Sequence, residues 1–176
     1  MIHFIKGALS IEECKNLTKQ FYIDKKTSTS FDYEAHTGTA YGFTPSNIFN
    51  TYLDKFKSKI LEIKPHINSL DNVNTYVREY LNGSILTRHI DRTDISITMS
   101  VCLQSTINKE WPLCAEIEGK DYCFNTEVGD AILLFDADKI THWRDPLVCS
   151  ENEKVVQFFL HWMPRNYPTK KLKSLL

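Results

Sequence analysis

Two histidines and an aspartate form the most chemically suggestive pattern in this chain. His89 and Asp91 make a His-x-Asp pair directly behind a strand-like run. On extended backbone, residues two apart project from the same face, so this imidazole and carboxylate can converge on one point. A metal held there needs a further donor, and His142, just past the apolar run Ala131 to Phe135, is the candidate. Two neutral imidazoles and one carboxylate make a facial triad that leaves metal positions open. Open positions admit a chelating cosubstrate and dioxygen, which is why that donor set belongs to non-haem Fe(II) oxygenases. Each part alone is weak, because a His-x-Asp recurs by chance and a lone histidine is more often a surface or capping residue. His3, His36 and His66 have no partner at ligand spacing and read as surface or core histidines.

The elements that must position such a site fall into two groups. Ser10 is a candidate N-cap with Glu13 three residues on, the capping-box spacing, and Leu17 and Phe21 follow at helical intervals. A second helical pattern, from about Ser46 to Ile63, places Ile48, Tyr52, Phe56, Ile60 and Ile63 on one face. Between them, residues 26–45 are rich in Thr, Ser, Gly and Tyr and read as an exposed loop or irregular strands. After Pro65 short β-like runs take over. Ile95 to Leu103 alternates strictly, with Ile95, Ile97, Met99, Val101 and Leu103 on one face and Ser96, Thr98, Ser100 and Cys102 on the other. Thr75–Leu81, Ala115–Ile117, Asp121–Phe124, Ala131–Phe135 and Val155–Trp162 are further strand candidates. Asn82-Gly83, Glu118-Gly119-Lys120 and Val128-Gly129-Asp130 are the turns between them. Helices first and many short strands afterwards predict an α+β, mainly β fold, a sandwich or jelly-roll barrel buttressed by N-terminal helices. One domain is expected, with helical support over about 8–66 and a β core over about 74–163.

Composition narrows the partners. A chain of 176 residues with 42% hydrophobic and 24% charged residues can bury a full core without staples. A net charge of −1 without a basic face argues against a nucleic-acid or membrane-surface protein. The basic tail Lys170-Lys171-Leu172-Lys173 reads as a solvated terminus. Five cysteines, Cys14, Cys102, Cys114, Cys123 and Cys149, are an odd number without a CxxC pair, so reduced thiols and a cytoplasmic location are the default expectation. The N-terminus lacks a signal-peptide run, and no stretch has the length of a membrane span.

The ordered set Tyr80-Leu81-Asn82-Gly83, Thr87-Arg88-His89-Ile90-Asp91, the strand Ile95 to Leu103, Gly129-Asp130-Ala131-Ile132-Leu133-Leu134-Phe135, His142-Trp143-Arg144-Asp145-Pro146 and the closing strand to Trp162 resembles the prolyl-4-hydroxylase-like branch of the 2-oxoglutarate and Fe(II)-dependent dioxygenases. The resemblance runs from Tyr76 to Trp162 and implies a double-stranded β-helix with supporting helices. It implies Fe(II) held by His89, Asp91 and His142, 2-oxoglutarate as cosubstrate with O2, and release of succinate. Family members usually take the cation for the cosubstrate's distal carboxylate from the strand after the distal histidine. Here positions 152 and 153 are Asn and Glu, so Lys154 and Arg144 are the two candidates, with Arg144 ranked first. Tyr80 is either a hydroxyl donor to the cosubstrate, as its family counterpart is, or a core tyrosine.

Gln157 and His161 share a strand parity and face the interior together if either does. Arg88 and Arg92 should point away from the metal, although Arg92 can turn back if the strand stops at Asp91, or pair with Asp94. Phe31, Tyr33, His36, Tyr41 and Phe43 are candidates for a lid or lining over the iron, suited to an amino-acid, peptidyl or small-molecule substrate. Competing readings are a cupin-like metal-binding or sensor module without 2-oxoglutarate turnover, and a cosubstrate-free reaction on the same triad. By the same resemblance halogenation is disfavoured, because halogenases of this class vacate the position that Asp91 fills.

Overall fold

The computed structural model describes residues 1–28 and 37–165. In chain order the elements are β1 (Ile2–Ile5), α1 (Ile11–Thr27), β2 (Tyr41–Phe43), α2 (Thr51–Ile63), β3 (Leu70–Tyr80), β4 (Leu86–His89), β5 (Ile97–Ser105), β6 (Leu113–Ile117), β7 (Lys120–Phe124), β8 (Ala131–Phe135), β9 (His142–Arg144) and β10 (Val155–Pro164). A six-stranded sheet has the order β1-β8-β5-β10-β3-β2, and a four-stranded sheet the order β4-β9-β6-β7. Every strand pair is antiparallel. With helices supporting the larger sheet, this is the double-stranded β-helix that the family resemblance implies, a form of the helix-buttressed jelly roll expected from the turns and short strands.

The capping box at Ser10 is present: the Ser10 hydroxyl accepts from the Glu13 N–H and the Glu13 carboxylate accepts from the Ser10 N–H. The second helix starts later than the periodicity suggests, at Thr51, because residues 47–50 form turns ahead of it. Cys14, Leu17 and Phe21 of α1 and Leu53, Phe56 and Ile60 of α2 enter one core with Met99 and Val101 of β5 and Phe158 and Leu160 of β10. Trp162, wholly buried, donates its indole N–H to the Leu53 carbonyl at 3.2 Å and ties the end of β10 to α2. That core lies outside the barrel, between the larger sheet and the helices. The other face of the same strands is therefore left for the barrel interior, and it carries Thr98, Ser100 and Cys102 on β5 and Gln157, Phe159 and His161 on β10. The polar face of the alternating strand is thus an inward face, buried as fully as the apolar one.

Turn chemistry fixes the register. Glu118 and Gly119 both have positive φ, 53° and 74°, as a two-residue type I′ hairpin between β6 and β7 demands. Gly129 has φ 92°, and a side chain there would run into the Leu9 carbonyl. Its neighbour Asp130 accepts from the Gly7 N–H at 2.9 Å and the Glu127 N–H at 3.1 Å, so the Gly-Asp pair pins the N-terminal segment to the start of β8.

The expectation of five reduced thiols is corrected by the β6–β7 hairpin, where Cys114 and Cys123 form a disulfide. They are direct cross-strand partners with Cα atoms 4.0 Å apart, a proximity that nine residues of sequence separation hide until the hairpin closes. Cys14 and Cys102 are buried free thiols and Cys149 a half-buried one. No helix among the described residues is long and apolar enough to cross a membrane.

Candidate metal centre and its cleft

The two histidine donors come from the smaller sheet and the carboxylate from the loop that follows β4. β4 and β9 pair antiparallel with His89 opposite His142, so two residues distant in sequence face each other across one ladder rung. Their ring centroids lie 4.3 Å apart. Asp91 follows the end of β4, anchored by its N–H to the Ala137 carbonyl at 2.9 Å, and its carboxylate accepts a short hydrogen bond from the Thr98 hydroxyl. The Asp91 carboxylate oxygen stands 3.8 Å from His89 Nε2 and 3.7 Å from His142 Nε2. All three donor atoms lie within 4.8 Å of one another.

Backbone contacts set the tautomers. His89 Nδ1 faces the Thr87 carbonyl at 2.8 Å and His142 Nδ1 the Ile140 carbonyl at 3.0 Å. A carbonyl can only accept, so each Nδ1 carries the proton and each Nε2 turns its lone pair toward Asp91. Burial, partly opposed by the Asp91 charge, pushes the His142 pKa down and keeps the ring neutral, as a metal ligand must be. The donor set therefore fits a first-row divalent metal in its geometry and in the orientation of its ring nitrogens.

These residues open into a cleft of about 320 Å³ between the two sheets. Its larger-sheet wall is a set of cross-strand rows, Asn74, His161 and Thr98, then Tyr76, Phe159 and Ser100, with Arg78 beyond them; Gln157 and Cys102, the cross-strand neighbours of Arg78, line a separate cavity beside Trp111. His161 Nδ1 lies 3.1 Å from the Asn74 side-chain oxygen, and burial pushes its pKa down to about 4, so it is neutral near pH 7. Gln157 accepts from the Ser100 hydroxyl at 3.1 Å. Gln157 and His161 do face the interior together, as their parity suggests.

Arg144 follows His142 by two residues on β9 and so points the same way. It is 2% exposed. One guanidinium nitrogen donates to the Trp111 carbonyl at 2.6 Å, while Nη2 is buried without a hydrogen-bond partner among the described residues. Burial pushes its pKa down, and its electrostatic neighbours are Tyr80 and Cys102 rather than a carboxylate. Tyr80, wholly buried, packs its ring edge-on to Trp111 at 4.8 Å and accepts from Arg78 at 3.1 Å. Lys154 lies on the other side of the sheet, where its ammonium sits 3.7 Å from Glu79 and above the Tyr22 ring of α1. The alternation of β10 explains this: Val155 faces the interior and position 154 does not.

Arg88 points outward, stacked on Trp143 at 3.4 Å and paired with Glu116 and Asp121. Arg92 pairs with Asp94 at 3.0 Å while also lining the cleft mouth. Of the aromatic residues considered for a lid, Phe43 is a core residue stacked on Phe21 at 5.4 Å, and Tyr41 lies beneath the Lys25 ammonium of α1. Both share the helix-facing parity of β2, which is why neither lines the cleft. Phe31, Tyr33 and His36, like the basic tail, fall outside the described residues. Arg78, Thr98 and Asn74 were not singled out by sequence. Arg78 was legible in principle, since Tyr76-x-Arg78-x-Tyr80 shares one strand face.

No family model matches the sequence, and no curated protein matches it. Solved structures do. A Pseudomonas putida prolyl-4-hydroxylase superposes with TM-score 0.69 at 11% identity over 91% of each chain. A viral collagen prolyl hydroxylase from Paramecium bursaria Chlorella virus-1, in complex with 2-oxoglutarate, gives TM-score 0.67 at 15% identity over 92% of this chain and 95% of that one. HygX from Streptomyces hygroscopicus, with nickel, 2-oxoglutarate and hygromycin B bound, gives 0.71 at 10% identity over 94% of this chain and 83% of that one. At these identities the likeness is one of fold: this chain has the double-stranded β-helix shared by prolyl hydroxylases and other 2-oxoglutarate/Fe(II) oxygenases.

Proposed function

We propose that this protein is a 2-oxoglutarate- and Fe(II)-dependent oxygenase that hydroxylates an amino-acid, peptidyl or small-molecule substrate and releases succinate and CO2. The observation that carries the reading is the pairing of a preorganised His89–Asp91–His142 donor set with Arg144, a buried guanidinium whose Nη2 is unpaired among the described residues. A metal-binding or sensor module of the cupin type needs the three donors and has no use for that cation. A buried guanidinium nitrogen without a partner costs free energy, which a dicarboxylate's distal end would offset by a charge-assisted bond.

In this reading His89, Asp91 and His142 hold Fe(II), which when bound supplies the oxygen chemistry. The Thr87 and Ile140 carbonyls keep the two imidazoles in the ligating tautomer, and Thr98 orients the Asp91 carboxylate. Arg144 would take the distal carboxylate of 2-oxoglutarate, with the Tyr80 hydroxyl as a neighbouring donor or acceptor. Leu86, Leu113, Ile132 and Phe159 line the cleft with apolar surface that excludes bulk water from the reacting groups.

The test is oxygen-dependent succinate formation from 2-oxoglutarate by the iron-loaded protein, against a metal-free control and the His142→Ala variant. Succinate above control only in the intact protein is expected, with iron content lost in the variant. Iron-loaded protein that forms no succinate over a broad substrate panel would instead favour the cupin reading.

A further inference from the structure

We infer that the prime substrate presents an uncharged hydrogen-bond donor, a hydroxyl or an amide N–H, to Nε2 of His161; this rests on the oxygenase reading above and names a substrate class for the same cleft. His161 stands on the inward face of β10, directly across the ladder from Thr98 of β5. Thr98 in turn donates its hydroxyl to the Asp91 carboxylate, so His161 is one cross-strand neighbour away from a metal donor. On its other side His161 is paired with Asn74 of β3. The Asn74 amide nitrogen donates to the Thr75 carbonyl at 3.4 Å, which leaves the amide oxygen turned toward His161 Nδ1 at 3.1 Å. An amide oxygen can only accept, so Nδ1 carries the proton and Nε2 keeps a lone pair.

That lone pair has no hydrogen-bond partner among the described residues, and Nε2 is not sealed inside the protein. His161 lines the cleft of about 320 Å³ that also holds the three metal donors, so the acceptor faces the space a substrate must occupy. A molecule that displaces water from such an acceptor must supply a donor in return, or leave the nitrogen unsatisfied at a cost in affinity. The charge balance selects the kind of donor. The charges that act on His161 are those of Arg92 and Arg78 against Asp91 and Asp94. A divalent ion at Asp91 makes that sum positive. An ammonium group is repelled there, whereas a neutral hydroxyl or amide N–H is not. Phe159, two residues earlier on the same face of β10, and Ile95 offer apolar surface to the body of such a molecule.

The experiment uses the full chain with isotope-labelled histidines, loaded with Zn²⁺ and 2-oxoglutarate. NMR of the imidazole nitrogens, assigned with His161→Phe and His161→Gln, should find Nδ1 protonated and Nε2 bare at His161. Small alcohols and primary amides are then titrated against their own methyl ethers and N,N-dimethyl amides, with primary amines as a third arm. At least one alcohol or amide should bind about tenfold tighter than its blocked form, roughly what one hydrogen bond contributes, and should shift the Nε2 resonance. His161→Phe keeps a ring without an acceptor and should abolish the preference. His161→Gln, whose amide oxygen can accept, should keep part of it. The thermal midpoint and a 2-oxoglutarate titration check that each variant is folded and loaded. Should His161→Phe not fold, the Nε2 shift in the wild-type protein decides. The inference is overturned if Nε2 carries the proton, if donors and blocked forms bind alike, or if no alcohol or amide binds. It is equally overturned if the amines bind best, or if the preference survives in His161→Phe. Failure of the wild-type protein to bind 2-oxoglutarate at all would instead strike the oxygenase reading.

Discussion

At the scale of single residues, the contrast between Arg144 and Lys154 is a matter of parity. Both follow His142 in sequence, but β9 turns Arg144 inward beside His142, whereas Lys154 stands on the helix side with Glu79. Replacing Arg144 by Met keeps most of the apolar stem and removes the fork, and with it the proposed anion site and the bond to the Trp111 carbonyl. The expected result is a ten- to hundred-fold weaker 2-oxoglutarate affinity, from about 1.5–3 kcal/mol for a charge-assisted bond at about 1.4 kcal/mol per tenfold. Lys154→Ala should have a much smaller effect. Titrating the Fe(II)–2-oxoglutarate charge-transfer band without oxygen measures both, and unchanged affinity in Arg144→Met would refute the assignment.

At the scale of elements, β2 and α1 each make a prediction. Gly42 of β2 pairs with Arg78 of β3, and the Tyr76 ring lies so close over it that a Cβ would collide with the phenol. Gly42→Ala must therefore push Tyr76 toward the cleft, at about 1–3 kcal/mol, the usual cost of overpacking. A denaturant midpoint equal to wild type would show that the ring moves aside freely. In α1, the hydrogen bond from Lys55, with help from the Ser10 N–H, holds the Glu13 carboxyl down to about 2. A carboxylate with a depressed folded-state pKa stabilises above its ordinary value near 4.5 and loses that contribution as pH falls toward 2. The stability difference between wild type and Glu13→Gln should accordingly shrink through that window, and shrink at every pH in high salt, because the pair is solvent-exposed. A difference independent of pH would mean that Glu13 acts through packing alone.

At the scale of the whole molecule, the three donors come from two strands and a loop, so a bound metal clamps the barrel only when it is folded. A metal at one hundred times its dissociation constant adds about 2.7 kcal/mol, and at about 2–4 °C per kcal/mol for a chain of this size the melting temperature should rise by about 5–10 °C. Scanning calorimetry with Ni²⁺ or Zn²⁺ checks this, and an equal rise in His142→Ala would place the metal elsewhere. The capping box, the strand alternation, the glycine turns and the His-x-Asp pair were all determined by sequence alone, because each depends on neighbours within a few residues. The tertiary structure decided what depends on which distant strands meet. The His89–His142 rung brings together residues far apart in sequence, and Cys114 meets Cys123 only once a hairpin closes. Residue alternation says that Thr98, Ser100 and Cys102 share a face, but not that this face is the inside of the barrel. Only the seating of α1 and α2 on the opposite face settles that, since a β-strand has two sides and burial by helices claims one of them.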